Sequence, residues 1–142
     1  MHVRIHRLVG LGVAFGSAGL AVALEGSAVL AFLCAYPGAT APDWLEIPYG
    51  ERGATRRSVI PHRTLTHFVP LWVVLLGVSV WGLTQAPPAL INLLASAALG
   101  FACGALSHLF LDLLTPLGVP LFSLRQRYRL KRFTLRKSKP IR

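Results

Sequence analysis

Long uncharged, mostly apolar runs separated by short polar breaks set the pattern of this chain. Leu8 to Leu24 and Gly26 to Pro42 each run seventeen residues without Asp, Glu, Lys or Arg, and Phe68 to Ser107 runs forty. A helix needs roughly 20 apolar residues to cross a bilayer, so the longest run holds two such helices. They divide at Gln85-Ala86-Pro87-Pro88, where two prolines remove backbone donors and force a turn. The predicted arms are Phe68–Thr84 and Ala89–Leu114.

The two shorter runs meet at Glu25-Gly26-Ser27. One bent helix through this point would put Arg52, Arg56, Arg57 and Arg63 opposite the basic N-terminus. A tight hairpin keeps all of them on the cytoplasmic side, and it is the arrangement that the distribution of bases favours. Its arms are short for full spans, which implies re-entrant or tilted helices covered in part by the others. The basic start and Ala21-Val22-Ala23 have the look of a signal peptide, but apolar sequence resumes directly after Glu25, which argues against cleavage. The expected fold class is an all-α membrane protein with about four short transmembrane or re-entrant helices in two hairpins and a basic C-terminal tail.

Composition agrees with that pattern: 142 residues allow one domain, and 54% hydrophobic residues exceed what an ordinary soluble domain carries. A net charge of +10 would suggest nucleic acid as the partner of a soluble chain. Here nine of the fifteen Lys and Arg residues lie between Arg125 and Arg142 with no acid among them, which reads first as a cytoplasmic topology signal and second as attraction to anionic headgroups. Nucleic acid is therefore disfavoured. Bases alternate with Tyr128, Leu130, Phe133 and Leu135, and as a helix this segment would be basic and amphipathic, suited to an anionic lipid surface. The expected division is 1–122 as the membrane-embedded unit, with Val119-Pro120-Leu121-Phe122 along the interface, and 123–142 as a basic cytoplasmic tail. Cys34 and Cys103 lack a CxxC spacing, so neither a disulfide framework nor a thiolate zinc site is indicated.

The chemistry concentrates in a few places. His62-Arg63-Thr64-Leu65-Thr66-His67 puts two imidazoles, a guanidinium and two hydroxyls just before an apolar run. His108 and Asp112 stand four residues apart on one helical face. A carboxylate at bilayer depth costs roughly 2.5–3.5 kcal/mol, so Asp112 calls for a function and a partner. Ser96, Gly100 and Gly104 continue that face as a small-residue stripe through which another helix can approach. The polar stretch from Asp43 to Pro61 has turn signals at Pro48-Tyr49-Gly50 and Gly53; Asp43 either caps a short helical turn or points toward the site.

With both hairpins inserted from the cytoplasm, His6, Asp43, His62, His67, His108 and Asp112 reach one membrane face. Imidazole and carboxylate together suit zinc, with manganese or iron as alternatives. The plainer reading is that the histidines hydrogen-bond to neighbouring backbone.

Pro42-Asp43-Trp44-Leu45-Glu46, His62-Arg63-Thr64-Leu65-Thr66-His67 and Ser107-His108-Leu109-Phe110-Leu111-Asp112, followed by Leu114-Thr115-Pro116-Leu117-Gly118-Val119-Pro120, resemble the motifs of the LexA-regulated, membrane-bound metal-dependent hydrolase family. The likeness extends from His6 to about Phe122. It implies a small multi-helix protein of the bacterial inner membrane, similar to zinc-dependent phospholipases. Leu45 stands where many relatives carry a second aspartate, so that Glu46 substitutes or one metal is missing. For an enzyme of this kind the ligand set implies a metal that acidifies water and polarises a phosphoryl or acyl oxygen. Asp112 or Glu46 would then serve as base or supporting carboxylate, and Arg63 would hold an anionic group. The expected substrate is a phosphoester or similar ester of an anionic or lipid-linked molecule at the cytoplasmic face. The rival expectation is a non-catalytic membrane protein with a structural metal or an ion or proton path.

Overall fold

Two short turns fold four apolar helices into two hairpins, and side chains tie the turns together at one end of the bundle. The computed structural model describes residues 3–46, 48–52, 55–60, 64–124, 126–131 and 134–137. In chain order these form α1 (Val3–Ala23), α2 (Ala28–Gly38), α3 (Ala41–Trp44), β1 (Pro48–Arg52), β2 (Thr55–Ser58), a 3-10 turn (Leu65–His67), α4 (Val69–Thr84), α5 (Ala89–Leu113), β3 (Val119–Ser123), β4 (Gln126–Lys131) and β5 (Thr134–Lys137).

The α1–α2 reversal puts Glu25 in the left-handed region at φ 56°, and Ala86 does the same for α4–α5 at φ 47°. Ser27 caps α2 by accepting from the Leu30 N–H, and its own N–H donates to Ser96 Oγ at 2.8 Å. Asn92 Nδ2 donates to the Glu25 carbonyl at 3.0 Å. α1 and α4 therefore run toward this end, and α2 and α5 run away from it to the same opposite end.

The α2–α5 contact is a backbone approach. A Cβ on Gly100 would run into the Ala31 carbonyl, and one on Gly104 into the Ala35 carbonyl and the α2 backbone around Gly38. The small-residue stripe expected from the sequence is what permits this. It brings the end of α2 against the last turns of α5. Two buried clusters flank the contact: Ala21, Ala31, Leu83 and Leu99 at the turn end, and Ala41, Trp72, Ala105, Leu109 and Val119 at the other.

By length and composition, Ile5–Ala23 of α1 and Ala89–Leu113 of α5 are long and apolar enough to cross a membrane. The 11-residue α2 and 16-residue α4 are shorter apolar helices. Outward positions such as Leu8, Phe15, Val29, Val74 and Trp81 are exposed and apolar. Such outward faces suit a hydrocarbon surround, since a soluble protein rarely leaves so many large apolar side chains uncovered.

The all-α expectation needs correction, because five strands accompany the helices. β1 and β2 form an antiparallel hairpin within the polar loop. β3, β4 and β5 form an antiparallel sheet in that order, with Val119 opposite Tyr128 and Arg129 opposite Arg136. The tail is thus not an amphipathic helix. Gln126-Arg127-Tyr128-Arg129-Leu130-Lys131 alternates at period two, the repeat of a strand, and that period prevails over the charge pattern. Val119-Pro120-Leu121-Phe122 is a strand with Val119 and Pro120 buried and Phe122 exposed. Gly118 before it has φ 63°, and a Cβ there would meet the Tyr128 carbonyl, so only glycine suits this corner. Asp43 does not cap α3. Thr40 holds the N-cap position and Asp43 lies in the first turn.

Candidate metal centre

Four elements deliver polar side chains to the end of the bundle away from the turns. α1 supplies His6, which is 4% exposed, and α3 supplies Asp43 just after α2 ends. The 3-10 turn supplies His67, fully buried, and Trp72 Nε1 anchors this turn to α4 by donating to the Thr66 carbonyl at 2.8 Å. α5 supplies His108 and Asp112 from its last two turns, both nearly inaccessible.

The donor atoms converge. His67 Nε2 lies 3.5 Å from Asp43 Oδ1 and 3.6 Å from Asp112 Oδ2. His108 Nε2 lies 3.6 Å from Asp43 Oδ1 and 3.7 Å from Asp112 Oδ2. A tetrahedral shell with bonds of about 2.0–2.1 Å has donor–donor edges of about 3.3 Å. These four edges, of the six in a tetrahedron, are slightly longer than that and longer than good hydrogen bonds, so each of these pairs is spaced as two ligands of one cation would be. The second oxygen of Asp112, Oδ1, turns the other way, 3.9 Å from His6 Nε2. The His6 ring stacks on His108 with centroids 4.1 Å apart. Two triads result, His6–His108–Asp112 and Asp43–His67–His108, each with donor atoms near enough to share an ion and both containing His108.

The far side of each central imidazole is occupied, which decides where its proton sits. His108 Nδ1 lies 2.9 Å from the Ala39 carbonyl, and a carbonyl only accepts, so Nδ1 carries a proton and in the neutral ring the Nε2 lone pair faces the cluster. His67 Nδ1 lies 3.4 Å from Glu46 Oε1 and 3.2 Å from Thr66 Oγ1, and Thr66 in turn donates to Glu46 at 3.4 Å. With a carboxylate as acceptor there, His67 Nε2 also presents a lone pair inward. This is how metal-ligating histidines are usually supported. Among the described residues, His108 Nε2 and His6 Nδ1 are buried without a hydrogen-bond partner. The plainer expectation of backbone-bonded histidines accounts for one nitrogen of His108 and leaves the other unexplained.

Outside the long helices, electrostatics act in the same sense. Burial alone would raise the Asp43 carboxyl, but where the facing His108 and His67 imidazoles carry a proton on Nε2 they outweigh it and hold it below the usual carboxylate range. Burial holds the His67 imidazole below its ordinary value, against the pull of Asp43 and Glu46, and so keeps it neutral. An ionised carboxylate and a neutral imidazole are the forms a divalent cation requires.

Of the residues singled out in the sequence, His6, Asp43, His67, His108 and Asp112 come together here. Glu46 sits behind His67 rather than beside the inward donors. His62 and Arg63 lie outside the described residues. Two participants were not foreseen. The hydroxyl of Thr66 was visible in its motif without an assigned partner. The Ala39 carbonyl carries no side-chain signal; only Gly100 and Gly104, which admit α2, hint at it.

Neither a curated protein nor a solved structure matches the chain. A sequence profile described as YdjM inner membrane protein matches residues 1–141, and that description names a location and no reaction. A match over nearly the whole length, on a bundle whose outer faces are apolar, places the chain in the YdjM inner membrane protein family.

Proposed function

We propose that this protein is a membrane-embedded, metal-dependent hydrolase acting on a phosphoester or similar ester at the cytoplasmic face of the inner membrane. The observation that carries this reading is the convergence of two imidazole nitrogens and two carboxylate oxygens at 3.5–3.7 Å, with each imidazole fixed from behind. His67, His108, Asp43 and Asp112 would hold the ion, and their nitrogen and oxygen donors suit zinc first, then manganese or iron. A divalent ion supplies Lewis acidity there, polarising a substrate oxygen and acidifying water.

The chain's own groups divide the remaining work. Asp112 Oδ1 and His6 Nε2 face each other beside the donors and can accept and pass on a proton. Glu46, with Thr66, keeps His67 in the right tautomer and is a positioning residue. Arg63, four residues before His67 in sequence, is assigned to the anionic group of the substrate. The proposed topology has both termini and the loop from Asp43 to His67 in the cytoplasm, in keeping with the bases at all three places. Those bases also concentrate anionic or lipid-linked substrates near the ion.

A structural metal site is the second reading, and one observation favours it: four protein donors are enough to close a tetrahedral shell. Against it, the Asp43 side chain is 43% exposed, which leaves the cluster a side open to water. Metal analysis and X-ray absorption on purified protein separate the two. A divalent ion with a water ligand, lost in His108→Ala, together with metal-dependent release of product from a panel of phospholipids and lipid-linked phosphates, is the expected result. Undiminished metal in His108→Ala, or product release that survives chelation and Asp112→Asn, removes the hydrolase reading. A closed shell of four protein ligands without turnover establishes the structural one.

A further inference from the structure

The α4–α5 hairpin has two apolar hollows, and they differ in what surrounds them. One, about 330 Å3, lies toward the turn between Val78, Trp81, Ile91 and Leu94. The other, about 200 Å3, lies at the opposite end between Leu106, Leu109, Phe110 and Leu113 of α5, Val69 of α4, and strand β3. From Leu106 to Leu113 is about 10 Å of helix, and that interval also contains His108 and Asp112, about 130° around α5 from the face that lines the hollow. The wall on α4 begins at Val69, two residues after His67. Each helical wall of this hollow therefore belongs to a segment that also delivers a donor to the metal centre.

The strand next to the third wall carries charge. β3 is hydrogen-bonded to β4, where Pro120 pairs with Arg127, and Arg129 follows two residues on. At its outer edge Phe110 is 58% exposed, so the hollow is continuous with the apolar belt of the bundle. Apolar slot, metal donors and bases thus belong to adjoining segments of the chain, the three chemistries that an acyl chain, an ester and an anionic headgroup call for.

We propose that this hollow seats one acyl chain of an anionic diacyl lipid, whose ester group is thereby held at the metal centre. The inference rests on the hydrolase reading and narrows its substrate to a lipid with a long chain. Because the bilayer is as apolar as the slot, the chain gains no transfer energy by entering it. What the slot supplies is register: a tail packed along Leu106–Leu113 fixes the height and orientation of its headgroup, and orientation is where rate is gained. The turn-end hollow has no donors beside it and serves as the internal control.

The test uses full-length, metal-loaded protein in phosphatidylethanolamine–phosphatidylglycerol vesicles containing a trace of phosphatidylglycerol with a diazirine in mid-chain. After photolysis, labelled residues are mapped by mass spectrometry, and lipid products are measured on the same vesicles. Labelling at Val69, Leu106 and Phe110 should exceed that at Val78 and Leu94 by at least fivefold. It should fall to the control level in Leu106→Trp and in Leu121→Trp, which fill the slot from helix and strand sides, while the control hollow keeps its labelling. Bound metal and elution volume report whether either variant has lost its fold. Equal labelling of the two hollows, or labelling indifferent to both tryptophans, overturns the proposal even if product forms. Preferential labelling without any product leaves the lipid seat in place and removes the hydrolase reading instead.

Discussion

The two ends of the helical bundle treat their polar groups in opposite ways. At the turn end Ser27, Asn92, Ser96 and the Glu25 carbonyl meet at 2.8–3.0 Å, ordinary hydrogen bonds that satisfy one another within the protein. At the other end, donors from α1, α3, the 3-10 turn and α5 stand 3.5–3.9 Å apart. Burying polar atoms without such bonds costs stability, so the buried, unpartnered His108 Nε2 among donors held this far apart is what a bound cation would satisfy. The lesson is that separation, as much as residue type, marks the site.

That contrast can be broken by substitution. The largest effect is expected from Asp112→Asn, which keeps the shape and removes the charge. Its loss of metal affinity should exceed the roughly 10–100-fold that removal of a supporting partner costs, and the metal-free melting temperature should stay where it was. A metal-free protein that unfolds on this change would mean that Asp112 is part of the scaffold. Glu46→Gln comes next. It retains an acceptor behind His67 but loses the charge, and metal affinity should fall by about tenfold, toward the lower end of that range, with Glu46→Asp recovering part of it. Isothermal titration with Zn2+ reads both variants.

Titration of His67 sharpens the comparison further. Its value in the folded protein lies below the ordinary 6.5, so in the window beneath 6.5 the unfolded chain binds the extra proton and the folded one does not. The stability this residue contributes therefore falls as pH drops through that window. In metal-free protein, any melting-temperature advantage of the parent over His67→Gln should shrink from pH 7.5 to pH 5.5. A constant or growing advantage would contradict burial as the dominant influence. The smallest effect belongs to the turn end, where Ser96→Ala removes the partner of the Ser27 N–H. Stability should fall by about 1 kcal/mol with Zn2+ affinity unchanged.

The helices were legible in the sequence because charge-free runs and the breaks at Glu25 and Pro87-Pro88 are one-dimensional signals that tertiary structure had no reason to override. Most of the donor set was legible too, since His108 and Asp112 share a helical face and the topology carries His6, Asp43 and His67 to the same end. What the sequence concealed depends on distance. Nothing near Ala39 announces that its carbonyl will orient His108, and Glu46 reads equally well as ligand, base or support until it is found on the Nδ1 side of His67. The tail failed for a different reason: its bases suit a helix and a strand alike, and only its strict alternation of period two distinguishes the sheet.

The brevity of α2 carries a mechanical consequence. It ends at Gly38, level with Gly10 of α1 and just before the residue that bonds to His108, whereas α1 begins seven residues earlier and α5 continues to Leu113. At about 1.5 Å per residue its neighbours overtop it by roughly 10–14 Å, so α3 and the donors sit in a notch below the rim of the bundle. Lipid beside a short wall must thin to meet it, at a cost of fractions of a kcal/mol per Å of mismatch. In a bilayer that meets this wall, membrane thickness would set how deeply the notch is submerged, and the chain length of the host lipid would bear on the site without touching a donor atom.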